Sequence, residues 1–266
     1  MPEDLQPNSL SQRIRLTVAY DGRPYQGWQS QPSGHTIQDH LERALEAVAG
    51  QRLRVHASGR TDSGVHALGQ TIHFDAPSDS RLQPKNWLAA LNSHLPRTIR
   101  IMDAERRGPD FHARFSAQAK TYRYRLYVGH VLPPQLAGMA WHLREMPELS
   151  TLLATSDLLL GRHDFSAFAA NRSDGSDAAH GSGQNERTIS SARWLIGDEG
   201  LFFDITGDGF LYRMVRLIVG ALLRTAEGQM DVAEFGALLD QPRDRPLKKS
   251  PFCAPADGLT LLRVTY

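Results

Sequence analysis

The chain has 266 residues, of which 41% are hydrophobic and 22% charged. These are the proportions of an ordinary folded protein, long enough for one large or two modest domains. A formal net charge of +1 excludes any bulk-charge argument for a nucleic-acid partner, and a single cysteine, Cys253, excludes a disulfide framework or a thiolate metal site.

The first half reads as β-α-β-β-α-β. Residues 13–20 alternate, with Ile14, Leu16, Val18 and Tyr20 on one face, which predicts a half-buried strand. A Gly- and Gln-rich connection follows over 21–35. Thr36 with Asp39 three residues on is a capping-box start for a helix carrying Ile37, Leu41, Ala44, Leu45 and Val48 at helical spacing. Leu53, Val55 and Ala57 predict a second strand, and 71–75 a third. A helix from about Pro84 turns Trp87, Leu88, Leu91 and Leu95 inward, and 99–103 closes the unit as a strand. This is the ferredoxin-like, RRM-like order, and the short link between strands two and three requires antiparallel pairing.

The second half repeats the order with decorations. Residues 121–128 predict a strand, Leu149, Leu152, Leu153 and Leu159 a helix, and 191–196 and 201–206 two more strands. A helix follows over 212–226, then a short one holding Val232, Phe235 and Leu238, and a last strand over 259–264. The stretch 171–187 is rich in Gly, Ser and Asp without periodicity and predicts a mobile loop. The expected architecture is therefore α+β: two ferredoxin-like units, 1–110 and 111–266, joined through a mainly antiparallel central sheet with helices on the outer faces. The longest apolar run, near 217–223, is far too short to span a bilayer, and 1–11 has no signal-like apolar stretch. A cytoplasmic protein without a membrane partner is expected.

Charge is uneven along the chain. Residues 81–125 hold ten Lys or Arg against three acids (Asp103, Glu105, Asp110), a local net of +7 before histidines. Such a block is either a solvated face or an electrostatic footprint for nucleic acid.

The segment SGRTDSGVHALGQ, residues 58–70, lies between two predicted strands, so its side chains project from a sheet end on a glycine-flanked loop. Thr61, Asp62 and Ser63 alone would serve as an ordinary turn. Arg60 two residues before Asp62 and His66 four after it are not needed by a turn. Together they argue against a loop that serves only as a turn. The helix 212–226 is apolar nearly all round, yet Arg216 sits in its middle. A guanidinium on a buried helix must find an anion or snorkel out, and Gly220 one turn on leaves room beside it. His56, His73, His94 and His163 show no metal-ligand spacing and carry no predicted role.

GRTDSGVHA is similar to the signature loop of TruA-type pseudouridine synthases. Four further segments match that family in order: YDGRPYQGWQSQP with TIQDHLERAL (20–45), FHARFSAQAKTYRYRL (111–126), GDGFLYRMVRLIVGALL (207–223) and APADGLTL (254–261). The resemblance covers nearly the whole chain. It implies the pseudouridine synthase fold, no cofactor and no metal, a homodimer, and a tRNA substrate modified on the 3′ side of the anticodon stem-loop. It implies Asp62 as the nucleophile and Tyr122 as the residue stacking on the flipped uracil. The resemblance gives Tyr122 a second role, removal of the C5 proton, but phenols have a reference pKa of about 10 and are poor bases at neutral pH, which favours stacking. Arg216 is implied as the partner of Asp62. Arg60 is the candidate for base flipping, since a base must leave its stack before chemistry. Phe111, His112, Ala113, Arg114, Phe115, Lys120, Arg123, Arg125 and Arg172 are candidates for RNA contact, the cations chiefly to phosphate. The loop 171–187 departs from the family in length and glycine content, which leaves Arg172 and Arg187 open as contacts.

Two readings compete. A carboxylate-based glycosidase would also attack C1′ but needs a second Asp or Glu at a set separation, and none accompanies Asp62 in its motif. A non-catalytic RNA-binding module would need the RRM's aromatic signature on central strands, which is missing. Digesting uridine-labelled tRNA to nucleosides after incubation separates the three by yielding pseudouridine, free uracil or neither.

Overall fold

The computed structural model describes residues 12–170, 185–197, 200–239, 241, 247–250 and 252–266. It is mixed α+β and falls into two compact units. The first comprises residues up to Ser63 with Ala67–Ala117, and the second Gly64–His66 with Gln118–Tyr266.

In the first unit, β1 (Gln12–Tyr20) buries Ile14, Leu16, Val18 and Tyr20 on alternate positions, as its period-2 pattern requires. It pairs antiparallel with β3 (His66–Ala76) on one side and β4 (Ile99–Arg107) on the other. The order is β4-β1-β3, with β2 (His56–Ala57) beside β3. The strand expected through Leu53 and Val55 shrinks to those two residues. The Val55 N–H instead donates to Glu42 Oε1 at 3.2 Å, on the first helix. The third strand starts at His66, five residues earlier than expected, and carries an extra residue where Val18 faces Gln70 but Tyr20 faces Ala67. Helix α1 (Ile37–Ala49) opens on the expected capping box between Thr36 and Asp39 and stops at Gly50, whose φ of 71° suits glycine. Helix α2 (Pro84–His94) begins with proline in its first turn and buries Trp87 and Leu91.

The second unit is built around β5 (Ala119–Val128), with β10 (Leu259–Thr265) antiparallel along one edge and β9 (Gly200–Gly207) along the other. Beyond β9 lie β8 (Glu186–Gly197) and β7 (Gly161–Asp164), and β6 (Trp141–Leu143) runs parallel to the end of β5. Glu186 and Arg187, expected at the end of a loop, are strand residues paired with Asp164 and His163. Among the described residues, the α-helices of this unit are α3 (Leu149–Asp157), α4 (Met214–Ala226) and α5 (Val232–Gly236). Helix α4 starts two residues later than its apolar pattern suggested, because Arg213 takes a left-handed conformation at φ 60°. It is buried nearly all round. Among the described residues no helix is long and apolar enough to cross a membrane.

Candidate active site

In the first unit the Asp62 loop leaves β2 and is fixed at several points. Ser58 and Gln70 are fully buried, and Ser58 Oγ donates to Gln70 Oε1 at 2.6 Å. The same Gln70 side chain donates from Nε2 to the Gly59 carbonyl at 2.9 Å, while the Ser58 N–H donates to the Thr71 carbonyl at 2.8 Å. One glutamine thus closes the base of the loop. Thr61 is buried, its hydroxyl 2.8 Å from the Tyr20 hydroxyl, and its carbonyl accepts the Trp28 N–H at 3.0 Å. Burial pushes the Tyr20 phenol up to about 12, with the Thr61 and Gln70 hydrogen bonds pulling the other way, so Tyr20 stays neutral at this contact. Ser63 Oγ donates to the Tyr25 carbonyl at 3.0 Å.

Gly27 lies against the loop backbone. A Cβ there would fall 3.0 Å from Ser63 N and from the Thr61 carbonyl oxygen, and its φ is already +83°. The YDGRPYQGWQSQP connection therefore serves as the wall of the loop. Within this frame Asp62 is half-buried and Arg60 exposed.

The FHARF segment follows β4 in the same unit. Ala113 is buried, Phe111 and His112 are half-buried, and Arg114 and Phe115 are exposed, Phe115 at 77%. The structure brings His56 and His73, given no role from sequence, into ring contact with His112. The His56–His73 rings stack at 4.9 Å and the His73–His112 rings meet edge-on at 4.7 Å. Among the described residues no group of His, Cys, Asp or Glu side chains is arranged to hold a metal ion.

In the second unit Tyr122 is buried on β5, opposite Ile205 and Leu261, and packs edge-to-face on Phe210 at 5.1 Å. Arg216 is half-buried rather than enclosed. Its Nε donates to the Ala254 carbonyl at 2.8 Å, and the Ala254 N–H donates back to the Arg216 carbonyl at 3.1 Å. A Cβ at Gly220 would collide with the Phe252 carbonyl, so glycine is what lets this strap lie on α4. The strap also holds Tyr124, whose hydroxyl donates to the Pro255 carbonyl at 2.8 Å. Burial pushes that phenol well up, against the lowering influence of the Arg216 charge. Gly64, two residues after Asp62, belongs to this unit. Its φ is +82°, and a Cβ there would sit 3.2 Å from Ala256 Cβ. His66 Nε2 lies 2.9 Å from the Gly138 carbonyl oxygen.

The basic candidates on β5 differ in their commitments. Arg123 is held by both oxygens of Asp204, at 2.7 Å each, with its guanidinium 5.2 Å from the Phe202 ring centre. Lys120 and Arg125 are half-buried on the same strand. Arg187 lies over Gly209, and its guanidinium pKa is pulled down by burial. Arg172 lies outside the described residues. The supporting shell of Tyr20, Gly27, Gln70, Tyr124 and Phe210 was not singled out from sequence. Tyr20, Gly27, Tyr124 and Phe210 lie inside the segments that resemble the family and Gln70 just past one, but nothing in their residue types or spacing marks them as supports of the site.

The tRNA pseudouridine synthase family matches residues 16–116 and 156–266, which include the Asp62 loop and the strap on α4. A tRNA pseudouridine synthase A of Akkermansia muciniphila is 51% identical over 254 residues, covering 96% of this chain and 95% of that protein. Proteins of the same name from Shouchella clausii and a Geobacillus species are 40% and 39% identical over 255 and 258 residues. They cover 96% and 97% of this chain and 93% and 99% of their own lengths. A family match over most of the chain, with every segment that shapes the Asp62 loop inside it, shows that the chain belongs to the tRNA pseudouridine synthases, a family of isomerases.

Proposed function

We propose that this chain converts uridine to pseudouridine in tRNA, on the 3′ side of the anticodon stem-loop, with Asp62 as the nucleophile. The observation that carries the reading is the Asp62 loop. It is fixed by Gln70, Thr61 and Gly27 so that one half-buried carboxylate is held on a rigid turn. A carboxylate positioned in this way suits covalent catalysis at C1′. The C1′–N1 bond breaks, the uracil turns, and C1′ joins C5. The C5 proton leaves and N1 gains one, so the product is an isomer of the substrate and no redox step occurs.

In this reading the first unit carries the nucleophile and the second carries Tyr122 and Arg216. Both units follow the ferredoxin-like plan, and the β4-β1-β3 order with β2 outermost supports it for the first. Tyr122 stacks on the flipped uracil, buttressed by Phe210. Arg216 is the partner of the Asp62 carboxylate. In support, Gly64 lies against Ala256, two residues beyond the Ala254 carbonyl that Arg216 holds. Arg60 assists base flipping, and Phe111, Arg114, Phe115 and Lys120 contact the RNA, while Ala113 is fully buried and does not. Arg172 is proposed on resemblance alone. The protein acts as a cytoplasmic homodimer.

Asp62→Asn keeps the shape of the loop and removes the nucleophile. Nucleoside analysis of tRNA incubated with the variant should find no pseudouridine, while tRNA binding persists because many contacts share the affinity. Pseudouridine formed at the wild-type rate would overturn the assignment.

A further inference from the structure

Five consecutive amides, His112–Ser116, form a turn after β4, and each N–H has an acceptor. The His112 N–H donates to Ser116 Oγ at 3.0 Å, and the Ser116 N–H returns to the His112 carbonyl at 2.9 Å. The Ala113 N–H donates to His73 Nδ1 at 3.1 Å, and the Arg114 and Phe115 N–H groups converge on His112 Nδ1 at 3.1 and 3.4 Å. Two imidazoles therefore take three of the five. A ring nitrogen accepts only when it carries no proton, so both rings must be neutral with the hydrogen on Nε2. The carbonyl side of the approach is held by Arg13, whose Nη1 donates to Pro109 and Phe111 while Nε and Nη2 grip Asp75.

The charged surroundings resist protonation. His73 faces Arg13 on β1, with Arg15 opposite it in register and already paired to Glu105 of β4. His56 of β2 lies on its ring, and Asp75 on its own strand is committed to Arg13. The turn itself adds His112, Asp110 and Arg114. Burial first, then Arg13, pulls His73 down to about 4, and burial with His56 and Arg13 lowers His112.

We propose that His73 and His112 are positioning residues for RNA engagement: as neutral imidazoles they set the 112–116 turn so that Arg114 and Phe115 point outward to the RNA. The inference rests on the RNA-contact reading of this segment and assigns its supports.

The test compares two substitutions at each histidine in the full-length protein with an unmodified tRNA transcript. Asn places an acceptor oxygen at the reach of Nδ1, whereas Leu at position 73 and Ala at position 112 do not. His73→Leu and His112→Ala should raise the KM for tRNA about tenfold, the effect of one or two lost hydrogen bonds. Changes in kcat should stay within about twofold, and amide exchange across 112–116 should quicken. His73→Asn and His112→Asn should restore both readouts. Equal KM values for the Asn variant and its partner at both positions would overturn the proposal, and so would a fall in kcat at unchanged KM. His112 is half-buried, so its pair remains decisive if His73→Leu does not fold. Arg114→Gln and Phe115→Ser in the same assay separate the two layers. If neither weakens binding, the RNA-contact reading fails; if they do and the histidine pairs do not differ, only the positioning role fails.

Discussion

At the scale of single residues, glycines decide where the site's backbone can go. Gly27 has φ +83° and no room for a Cβ against Thr61, Asp62 and Ser63. Gly27→Ala combines left-handed strain with a backbone collision, so the wall must retreat from the loop. We expect a loss of about 1–3 kcal/mol in stability, measured by urea unfolding, and a larger loss in turnover because the displaced backbone is that of Asp62 itself. Gly220→Ala should likewise lift the strap off α4 and remove the Arg216–Ala254 contact. The contrast with Gly50 is instructive. It too has positive φ but meets nothing within 4 Å, so Gly50→Ala should cost only about 1 kcal/mol and leave turnover intact. Arg216→Met is expected to lose most activity while staying folded. The half-buried guanidinium gives up its hydrogen bond to the Ala254 carbonyl while the apolar chain keeps most of the packing, so the thermal midpoint should fall by only about 2–4 °C.

At the scale of elements, sequence was most informative where a period was long and uninterrupted. β1, α1 and α4 announce themselves by alternation, by a capping box and by an apolar surface broken at Arg216. The short β2 was misjudged because Leu53 and Val55 mimic a strand while the Val55 amide bonds to Glu42 on α1, a partner thirteen residues away that no local pattern reveals. The start of β3 is hidden because Gly69, with Gly64 just before the strand, reads as loop, although the strand absorbs Gly69 with an extra residue opposite Val18–Tyr20. His73 was passed over for a related reason. Its ring acts on an amide 40 residues away, and only the fold brings them together. That contact has a pH signature. An exposed imidazole titrates near about 6.5, whereas His73 is held at about 4. Between these values the unfolded chain binds the proton and the folded chain does not. The contribution of His73 to stability is complete above about pH 6.5 and is lost as the pH falls toward 4. Denaturation midpoints measured across that window should fall less steeply in His73→Asn than in the parent.

At the scale of the whole molecule, a nearly neutral chain must concentrate its positive charge to engage a polyanion. The local excess over residues 81–125 was legible from composition, but how each cation is used was not. Arg114 is exposed beside Phe115, whereas Arg123 spends its guanidinium on Asp204. Arg114→Gln should therefore reduce the salt dependence of tRNA binding by about one phosphate's worth, and Arg123→Gln by much less. Equal slopes for the two variants would show that the Asp204 pair opens on RNA. The Asp62 motif identified the family because several separated segments agree. The residues that make the motif rigid are silent in sequence, since Tyr20 reads as an ordinary strand position and Gln70 as the end of the loop until the fold turns them toward Thr61 and Ser58.

Gln70 has one more implication, for the order in which a growing chain becomes competent. The signature residues Arg60, Thr61 and Asp62 are synthesised before the side chain that closes their loop, and Ser58 and Gly59 find their acceptor and donor only when residue 70 arrives. A nascent chain halted after residue 67 would hold every letter of the GRTDSGVHA motif as a slack tether. Ten residues more would supply Gln70, Thr71 and the strand that seats them beside β1, and with them a set loop. The site is thus written early and becomes rigid late.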